Sequence, residues 1–319
     1  MNRGVFTSVV AAMLLWGTPS EAQGWFLNNS SKSAAVAVAA EEPAAESNLP
    51  EGFISGLRGG FEEMPRPVGS PLYFEDPFIN TDIRPFMLYH EFPRDSLLGG
   101  GDLFVLGVSA RLALSDRLQF IATQDGYSDL EADAVPEGEG WNDLAAGLKY
   151  AFYVDHEEMA VASVGVRWTL SNGSLDVFKG TEDELSIFVS GAKQYGKLNV
   201  IAGITGRVVV DSDEGNDSLS WDINCSYELF EGFFPLFEYH GFLYLSNGDR
   251  LEVRDGLLDY GNLGAGDVAG SSVNWCTLGF RWHFKEGVSW GTGYSVPLNR
   301  ASNADIFKNR FITGLAFTF

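Results

Sequence analysis

Cysteine, positive charge and long apolar runs are all scarce in this chain of 319 residues. It has 2 cysteines, and its formal net charge is −22 because 21 Lys and Arg residues are outnumbered by 43 Asp and Glu residues. Two cysteines exclude a disulfide-rich scaffold. The acidic balance argues against nucleic acid as a partner, since phosphate binding needs clustered Lys and Arg. Beyond residue 22, no stretch approaches the ~18 consecutive apolar residues of a transmembrane helix.

From residue 81 onward, apolar and polar residues alternate with a period of two, which is the pattern of β-strands. The alternating segments recur at short intervals along this part of the chain. We predict strands at 83–92, 102–114, 117–126, 142–153, 159–170, 184–194, 197–210, 219–229, 233–245, 272–284, 287–296 and 307–319.

The connections between these segments differ in length in a regular way. Tight turns, such as 115–117 and 195–197, alternate with long polar loops, such as 126–141 and 246–271. Short turns at one end and long loops at the other are typical of bacterial outer-membrane barrels. The pattern predicts an all-β protein, a transmembrane antiparallel up-and-down β-barrel over residues 81–319. It has about 12 strands, with 10 and 14 also compatible.

The two faces of the strands indicate which side meets lipid. In the segment 159–170, Val164, Val166 and Trp168 share one face, whereas Gly165 and Arg167 share the other. An unpaired Arg or Lys at the bilayer midplane costs ~2–4 kcal/mol, so the apolar face must be the outer one. A soluble β-sandwich, the alternative, would carry polar residues on its outward faces.

The last nine residues form an alternating strand that runs to the C-terminal carboxylate. A soluble domain seldom ends this way, because chain termini usually fray. The last strand of a barrel, in contrast, must pair with the first so that no edge is left open. The ending resembles the C-terminal signal read by the outer-membrane assembly machinery, and the predicted signal residues are Phe311, Leu315, Phe317 and Phe319.

The N-terminal residues have the pattern of an export signal. Arg3 precedes the uncharged stretch 5–16, and small residues lead to a cleavage site after Ala22. The stretch is shorter than the ~20 apolar residues that span a bilayer, which disfavours the alternative of a short membrane anchor. The sequence therefore predicts a cleaved signal peptide over residues 1–22 and location in the outer membrane.

Two further segments lie between this signal and the barrel. Residues 23–50 are rich in Ala, Glu and Ser without apolar periodicity, which indicates a flexible periplasmic linker. Residues 51–80 contain more Gly, Pro and aromatic residues. They are expected to form a pre-barrel segment at the barrel mouth or in the lumen, and the sequence leaves both placements open.

Charged residues on the inward faces are the candidates for a channel lining. A barrel of about 12 strands lies between small barrels filled by side chains and open porins. Its inward charges either plug the lumen as salt bridges or line a selective path, and both readings stay open here. The predicted lumen-lining residues are Arg111, Asp143, Lys149, Arg167, Arg207, Asp222, Glu228, Glu238, His240, Arg281, His283 and Arg310.

Catalytic and metal sites find little support in the sequence. A hydrolase would need a Ser beside a His base, and Ser246 follows His240 by six residues, unlike the spacing of two in outer-membrane lipid hydrolases. The acidic loops 125–143 and 211–217 lack the spaced motif of a Ca²⁺ site, so solvated loops are the favoured reading. Cys225 and Cys276 are interpreted as small apolar residues that face lipid. No cofactor motif is present.

Two hairpin segments carry a family resemblance. Residues 112–127 (LALSDRLQFIATQDGY) and 140–152 (GWNDLAAGLKYAF) resemble outer-membrane barrels named for phenol-degradation (MetA) pathways, whose members are often labelled transporters. The resemblance covers two or three strands clearly and the rest only in pattern. It implies that 115–117 is a periplasmic turn, that Gly147 and Lys149 face inward, and that small hydrophobic or aromatic compounds pass through the barrel.

Three functions are compatible with these patterns. The first is a monomeric outer-membrane channel that passively admits small solutes, without catalysis or cofactor. The second is a non-conducting structural or surface barrel, whose loops, chiefly 246–271, contact an external partner. The third is an outer-membrane lipid hydrolase. The expected partners are outer-membrane lipid, the assembly machinery and a small-molecule solute.

Overall fold

The computed structural model describes residues 60–319 apart from 97, 135–136, 175–182, 211–213, 251, 253–258 and 300–306. The predicted signal peptide (1–22) and linker (23–50), together with residues 51–59 of the pre-barrel segment, lie outside the described residues. Within the described part, no helix has the length and apolar character needed to cross a bilayer.

Thirteen β-strands make up this part of the chain. They are β1 (Asp82–Glu91), β2 (Gly101–Ala113), β3 (Leu118–Ala132), β4 (Gly138–Trp141), β5 (Leu144–Asp155), β6 (Ala160–Leu170), β7 (Glu184–Tyr195), β8 (Leu198–Val209), β9 (Ser218–Tyr227), β10 (Phe233–Tyr244), β11 (Ser272–Lys285), β12 (Val288–Pro297) and β13 (Asn309–Thr318). All except β4 coincide with a strand predicted from the alternation.

The strands close into a ring. β1 pairs with β2 along one edge and with β13 along the other, both antiparallel. β1, β2, β3 and β5 to β13 therefore form a cylinder of twelve strands in up-and-down order. At the seam, Ile83 lies opposite Phe317, and the backbone N–H of Phe319 donates to the carbonyl of Thr81 at 3.0 Å. The predicted all-β barrel, closed by its C-terminal strand, is confirmed.

One connection differs from its prediction. Residues 126–141, expected to be a loop, are mostly an extension of β3 to Ala132 and the short strand β4. In this hairpin Asp129 lies opposite Glu139, and Tyr127 lies opposite Trp141 with ring centroids 5.5 Å apart. The aromatic pair stabilises a ladder in which two like charges face each other. The many acidic residues of this segment favour a loop when judged by sequence alone, so the short strand is not predicted.

The outer surface of the cylinder is apolar. Large apolar side chains at alternate strand positions are exposed, for example Leu106 (53%) on β2, Val166 (43%) on β6 and Ile204 (55%) on β8. Their inward neighbours on the same strands, such as Arg111 and Arg167, are buried. A continuous belt of this kind is far larger than the apolar patches of soluble proteins, and it matches the lipid-facing band of transmembrane barrels.

The short turns gather at the end of the barrel where β1 begins and β13 ends. Gly196, Gly232 and Gly287 adopt positive φ angles of 61°, 71° and 69° in three of these turns. A Cβ at Gly232 would lie 2.5 Å from the carbonyl oxygen of His283, so only glycine fits there. These glycines keep the turns tight, which is characteristic of the periplasmic end of such barrels.

The two cysteines lie on strands separated by β10. Cys225 on β9 and Cys276 on β11 are both free. Cys276 is buried, although its position in the alternation predicts contact with lipid. Its neighbours across the sheet are Tyr239 and Val296. These larger side chains flank the small thiol and cover it.

A charge placed on the apolar belt should destabilise the barrel according to its depth. We expect Ile204→Arg, in the middle of β8, to lower the free energy of unfolding from lipid vesicles by ~2–4 kcal/mol. Tyr195→Arg, beside the turn after β7, should cost about 0–1 kcal/mol because its side chain reaches water. Urea titration in vesicles measures both. Equal effects of the two substitutions would argue against a bilayer around this belt.

Candidate functional site

The lumen of the barrel is occupied by residues 60–81, which we call the plug. The plug has no regular strand or helix, and its carbonyl groups accept hydrogen bonds from inward side chains of the wall. Ser163 Oγ donates to the carbonyl of Pro77 at 2.6 Å, and Thr205 Oγ1 donates to that of Tyr73 at 3.1 Å. Arg167 donates to the carbonyl of Leu72.

Proline makes this irregular segment easier to bury. Pro65, Pro67, Pro71 and Pro77 have no backbone N–H, so the plug brings four fewer donors into a space that is largely shut off from water. Several carbonyl groups of the plug accept from donors on the wall, among them that of Asp76, which lies 2.7 Å from Lys149 Nζ. The wall is thus rich in donors because the plug presents acceptors.

A network of buried charges joins the plug to the periplasmic half of the wall. Glu75 of the plug accepts two hydrogen bonds from Arg111, at 2.7 and 2.8 Å, and one from Lys149 at 2.9 Å. Arg84 on β1 donates to Asp76 at 2.7 Å. Unpaired charges at these depths would cost several kcal/mol each. The carboxylates of the plug therefore neutralise a wall that is cationic by itself.

Two further charges complete this network. Asp82, at the start of β1, accepts hydrogen bonds from Arg84 at 2.7 and 2.9 Å. Arg66 of the plug lies 3.5 Å from Asp82. The plug and the first strand thus supply both signs of charge, and each carboxylate lies close to at least two cations.

The network changes the acidity of the plug carboxylates. Burial by itself raises the pKa of Glu75, but the adjacent Arg111 and Lys149 outweigh it and lower this pKa from 4.5 to about 2. The pKa of Asp76 is likewise lowered, because Arg84, Lys149 and other cations outweigh its burial. Both groups are therefore ionised throughout the ordinary pH range.

Glu238 on β10 anchors the plug in the middle of the lumen. Its carboxylate accepts the backbone N–H groups of Val68 at 2.8 Å and Gly69 at 2.6 Å, and the side-chain amide of Asn224 at 2.7 Å. A Cβ on Gly69 would lie 2.3 Å from Thr277 Oγ1 and 2.5 Å from Glu238. The backbone reaches the carboxylate only because residue 69 has no side chain.

His240 belongs to a hydrogen-bonded chain beside this anchor. Its Nδ1 lies 2.6 Å from Asp222, and its Nε2 lies 3.2 Å from Thr277 Oγ1. Thr277 continues to Ser295 at 2.7 Å. The Ser of the hydrolase hypothesis, Ser246, instead accepts the backbone N–H of Asp217 at 2.8 Å. The structure therefore gives His240 and Ser246 separate partners.

Two arginines hold the aromatic ring of Tyr73. The guanidinium carbons of Arg167 and Arg207 lie 4.9 and 5.0 Å from the ring centroid, within the range of cation–π contacts. Arg207 also donates to the Tyr73 hydroxyl at 2.6 Å and lies 3.6 Å from Glu184. Tyr73 therefore fixes the plug against β6 and β8, toward the extracellular ends of these strands.

The extracellular half of the lumen is apolar, unlike the wet lumen that the alternation suggests. Inward positions of several strands and the described residues of loop 246–271 pack there as one buried cluster, which includes Leu103, Val105, Phe242, Leu263, Val268, Val273, Trp275 and Phe307. Part of the loop folds inward rather than outward. Residues from a distant loop complete this cluster, so strand parity alone could not reveal it.

One ion pair is embedded in this apolar cluster. Arg310 donates to both oxygens of Asp259 at 2.7 and 2.9 Å. The rings of Tyr260 and Phe307 lie 4.3 and 5.0 Å from its guanidinium carbon. A planar guanidinium between aromatic rings keeps its charge satisfied in an apolar setting.

The predicted lumen-lining residues fall into two groups. Three are half-buried near the barrel ends: Asp143, whose Oδ1 accepts the N–H of Gly173 at 2.5 Å, Glu228 and His283. The other nine are buried: Arg111, Lys149, Arg167, Arg207, Asp222, Glu238, His240, Arg281 and Arg310. Eight of them make the contacts described above, and Arg281 donates to the carbonyl of Pro67 at 2.8 Å.

The sequence reading missed the partners of these residues. Glu75, Asp76 and Arg66 lie in a segment without periodicity, and Asp259 lies in a long loop. Asp82 and Arg84 lie at alternate positions of β1 that face inward, and this alternation is the one sequence pattern that points to them. The four residues of the predicted assembly signal, Phe311, Leu315, Phe317 and Phe319, lie on the outer side at the closing strand and are exposed.

A cavity opens at the periplasmic end of the lumen. Its volume is about 590 Å³, and its wall combines the start of the plug with the ends of β9 to β13. The lining carries more negative than positive side chains and includes Glu62, Glu63, Arg66, Glu228, Glu231 and His283. Among the described residues, no group of acidic, His or Cys side chains could hold a metal ion. Asp211 and Asp213 of the second acidic loop lie outside the described residues.

Comparison with known proteins supports the fold. No protein-family model and no curated protein matches the chain. The COG4313 outer membrane channel from Pseudomonas putida F1 is similar, with a TM-score of 0.56 and 13% identity over 80% of this chain and 100% of that chain. The NanC porin gives a TM-score of 0.45 and 11% identity, over 75% and 100%. The translocator domain of NalP from Neisseria meningitidis gives 0.43 and 13%, over 75% and 88%.

The ionised state of Glu75 should contribute to stability in a defined pH window. Glu75→Gln leaves Arg111 and Lys149 short of a buried partner, so we expect a loss of roughly 3–5 kcal/mol in the free energy of unfolding at pH 7. Because the folded-state pKa is lowered from 4.5 to about 2, this difference is constant above the unfolded value and shrinks as the pH falls toward 2.

Unfolding titrations of both proteins between pH 7 and pH 2 measure this window. Glu63→Gln, at an exposed position of the plug, is the matched control and should show no such difference. A Glu75→Gln effect that grows as the pH falls would contradict the assigned ion pairs.

Proposed function

We propose that this protein is an outer-membrane channel that passes small solutes through its lumen, with the plug as its closure. The proposal rests on one observation: the lumen is filled by the plug, a segment that is not part of the strand wall. A barrel with a purely structural role would fill its interior with strand side chains. Here the wall leaves room for 22 residues of irregular backbone, counted from 60 to 81.

Small inward residues create that room. Gly203 on β8 meets the ring of Phe74, with 3.4 Å between the ring and the place of a Cβ. Gly293 on β12 similarly lies near Val68, at 3.5 Å. The plug is held by hydrogen bonds and ion pairs and also by apolar packing, in which Phe61, Phe74 and Phe78 are buried against wall residues such as Ile201. None of these contacts belongs to the strand ladders of the barrel, so we infer that the plug can be displaced without unfolding the barrel.

The apolar extracellular half of the lumen favours hydrophobic or aromatic solutes. Rings of His90, Tyr260, Trp275 and Phe307 adjoin each other there, with His90 and Phe307 centroids 4.9 Å apart and Trp275 and Phe307 centroids 5.8 Å apart. Solute sites in proteins are mostly apolar with a few polar groups that set orientation. The resemblance of residues 112–127 and 140–152 to the phenol-degradation barrels agrees with this choice of solute.

The other expectations from the sequence belong to the same proposal. A signal peptide over 1–22 would export the chain, and Phe311, Leu315, Phe317 and Phe319 would present the closing strand to the assembly machinery. The lipid-facing belt would hold the barrel in the outer membrane as a monomer. We propose no catalysis, because His240 is engaged by Asp222 and Thr277.

A non-conducting surface barrel is the second candidate. It would need loop 246–271 to be available to an external partner. In its described part, however, Leu263, Ala265 and Val268 are buried in the apolar cluster. Asn216 also bonds to Ala265 in both directions, at 2.8 and 2.9 Å. The inward fold of this loop favours a role in closing the lumen.

Conductance in planar lipid bilayers tests the channel. Gly69→Ala would push the plug away from Glu238 and Thr277, and we expect current steps several-fold larger than those of the parent protein. Gly206→Ala is the matched control, because a Cβ there has only the carbonyl oxygen of Ile187 nearby, at 4.0 Å, and it should leave the steps unchanged.

The same recordings decide between the candidates. Glu238→Gln weakens the anchor from the wall side and should also enlarge the steps. If the parent, Gly69→Ala and Glu238→Gln all show no current although the barrel is folded, the surface-barrel candidate is preferred.

A further inference from the structure

β9 is polar on its inner face from one end to the other. Its five inward residues are Ser218, Ser220, Asp222, Asn224 and Ser226, and all are buried. The two preceding strands interrupt such a stripe with large apolar residues, Phe188 on β7 and Ile201 on β8. A polar stripe over the full height of the wall would be costly if it faced only apolar atoms.

Several polar atoms of this stripe have no hydrogen-bond partner among the described residues. They are Ser220 Oγ, Asp222 Oδ2, Asn224 Oδ1 and Ser226 Oγ. Further buried polar atoms without a partner lie on β7 and β8, in Ser186, Ser190 and Asn199. Asn224 is 0% exposed and Ser226 is 2% exposed. Buried polar groups in proteins are almost always paired, with water or a ligand if not with protein. This run of unpaired atoms therefore marks positions where water or an ion would bind.

The plug leaves this stripe unbonded. The hydrogen bonds described for it reach β1, β2, β3, β5, β6, β8, β10 and β11, and none of them involves β9. Phe74 of the plug packs on Gly203 and lies 6.2 Å from the ring of His240. Gly203 and His240 are the two cross-strand neighbours of Asp222. Phe74 thus lies over the middle of the stripe.

Acidic groups lie at the middle and at the end of the stripe. Asp222 is its one charged member, and Glu228 continues the inward parity into the periplasmic cavity of about 590 Å³. Glu62, Glu63 and Glu231 line the same cavity. Carboxylates along a narrow path attract cations and repel anions. Two basic side chains of the described residues contact the stripe: Arg207 donates to Ser218 at 3.0 Å at its extracellular end, and His240 lies 2.6 Å from Asp222 at its middle.

We propose that the inner face of β9 is a path for small cations, with Asp222 as the selecting group and Phe74 as the ring that narrows it. The inference rests on the proposed channel function and adds to it a second class of permeant, small cations, and their route along the wall. An apolar ring over a polar stripe restricts ion flow by displacing water, and it does so without any ion pair.

Single-channel recordings in KCl test the ring. Phe74→Ala should increase the conductance several-fold, because it removes the aromatic group over Gly203. Phe61→Ala is the matched control: Phe61 is also a buried ring of the plug, but it stacks on His156 after β5, with centroids 5.2 Å apart, and its loss should leave the conductance near that of the parent. Adding Gly203→Phe to Phe74→Ala restores a ring from the wall side and should return the conductance toward the parent value.

Reversal potentials across a KCl gradient test the selecting group. Asp222→Asn should shift the reversal potential toward zero, whereas Asp129→Asn, which removes the same charge from the hairpin of β3 and β4, should leave it unchanged. If Phe74→Ala matches Phe61→Ala, or Asp222→Asn keeps the parent selectivity, the β9 path is wrong although the channel stands. Silence of every folded variant would instead overturn the channel function itself.

Discussion

Every charge in the lumen must find its partner inside the cylinder, and the rest of the structure depends on this constraint. The wall brings cations such as Arg111 and Lys149 to depths where an unpaired charge is costly. The plug brings Glu75 and Asp76 to meet them, while Glu238 on the wall receives backbone N–H groups from the plug. Wall and plug are therefore complementary halves of one set of interactions, and neither half is electrostatically complete alone.

This complementarity bears on the proposed channel function, in which a segment outside the wall closes the lumen. Ion pairs, hydrogen bonds and the apolar contacts of Phe61, Phe74 and Phe78 hold the plug, and none of them belongs to the strand ladders that close the barrel. Apolar packing dominates the extracellular half. Nearer the periplasmic end, the ion pairs are accompanied by a second apolar cluster, which includes Phe61, Phe78 and Ile201. In the proposed channel, the aromatic cluster of the extracellular half would select the solutes.

The barrel could be predicted from the sequence because lipid imposes a simple rule on every strand. Each second residue must be apolar, so the alternation gave twelve strands, their direction and the residues that point inward. The lumen obeys no such rule. Glu75 is 36 residues away from Arg111 and lies in a segment without periodicity. The alternation along β2 predicts that Arg111 faces inward, but it does not predict its partner Glu75. Nor does it predict that the loop residue Asp259 pairs with Arg310.

The strand β4 and the apolar extracellular lumen were missed for related reasons. Both depend on contacts between residues that are distant in sequence or masked by acidic composition, as with Trp141 opposite Tyr127.

The plug is joined directly to the wall, since Asp82 begins β1 one residue after the plug ends at Thr81. β1 is in turn fixed on both edges, by β2 and by β13. A plug that leaves its site therefore remains tethered at the rim, where its effective concentration stays high. Reinsertion is an intramolecular event whose rate does not depend on how many copies the membrane holds. In the proposed channel, each molecule would carry its own reversible blocker and would reseal without help from any diffusing factor.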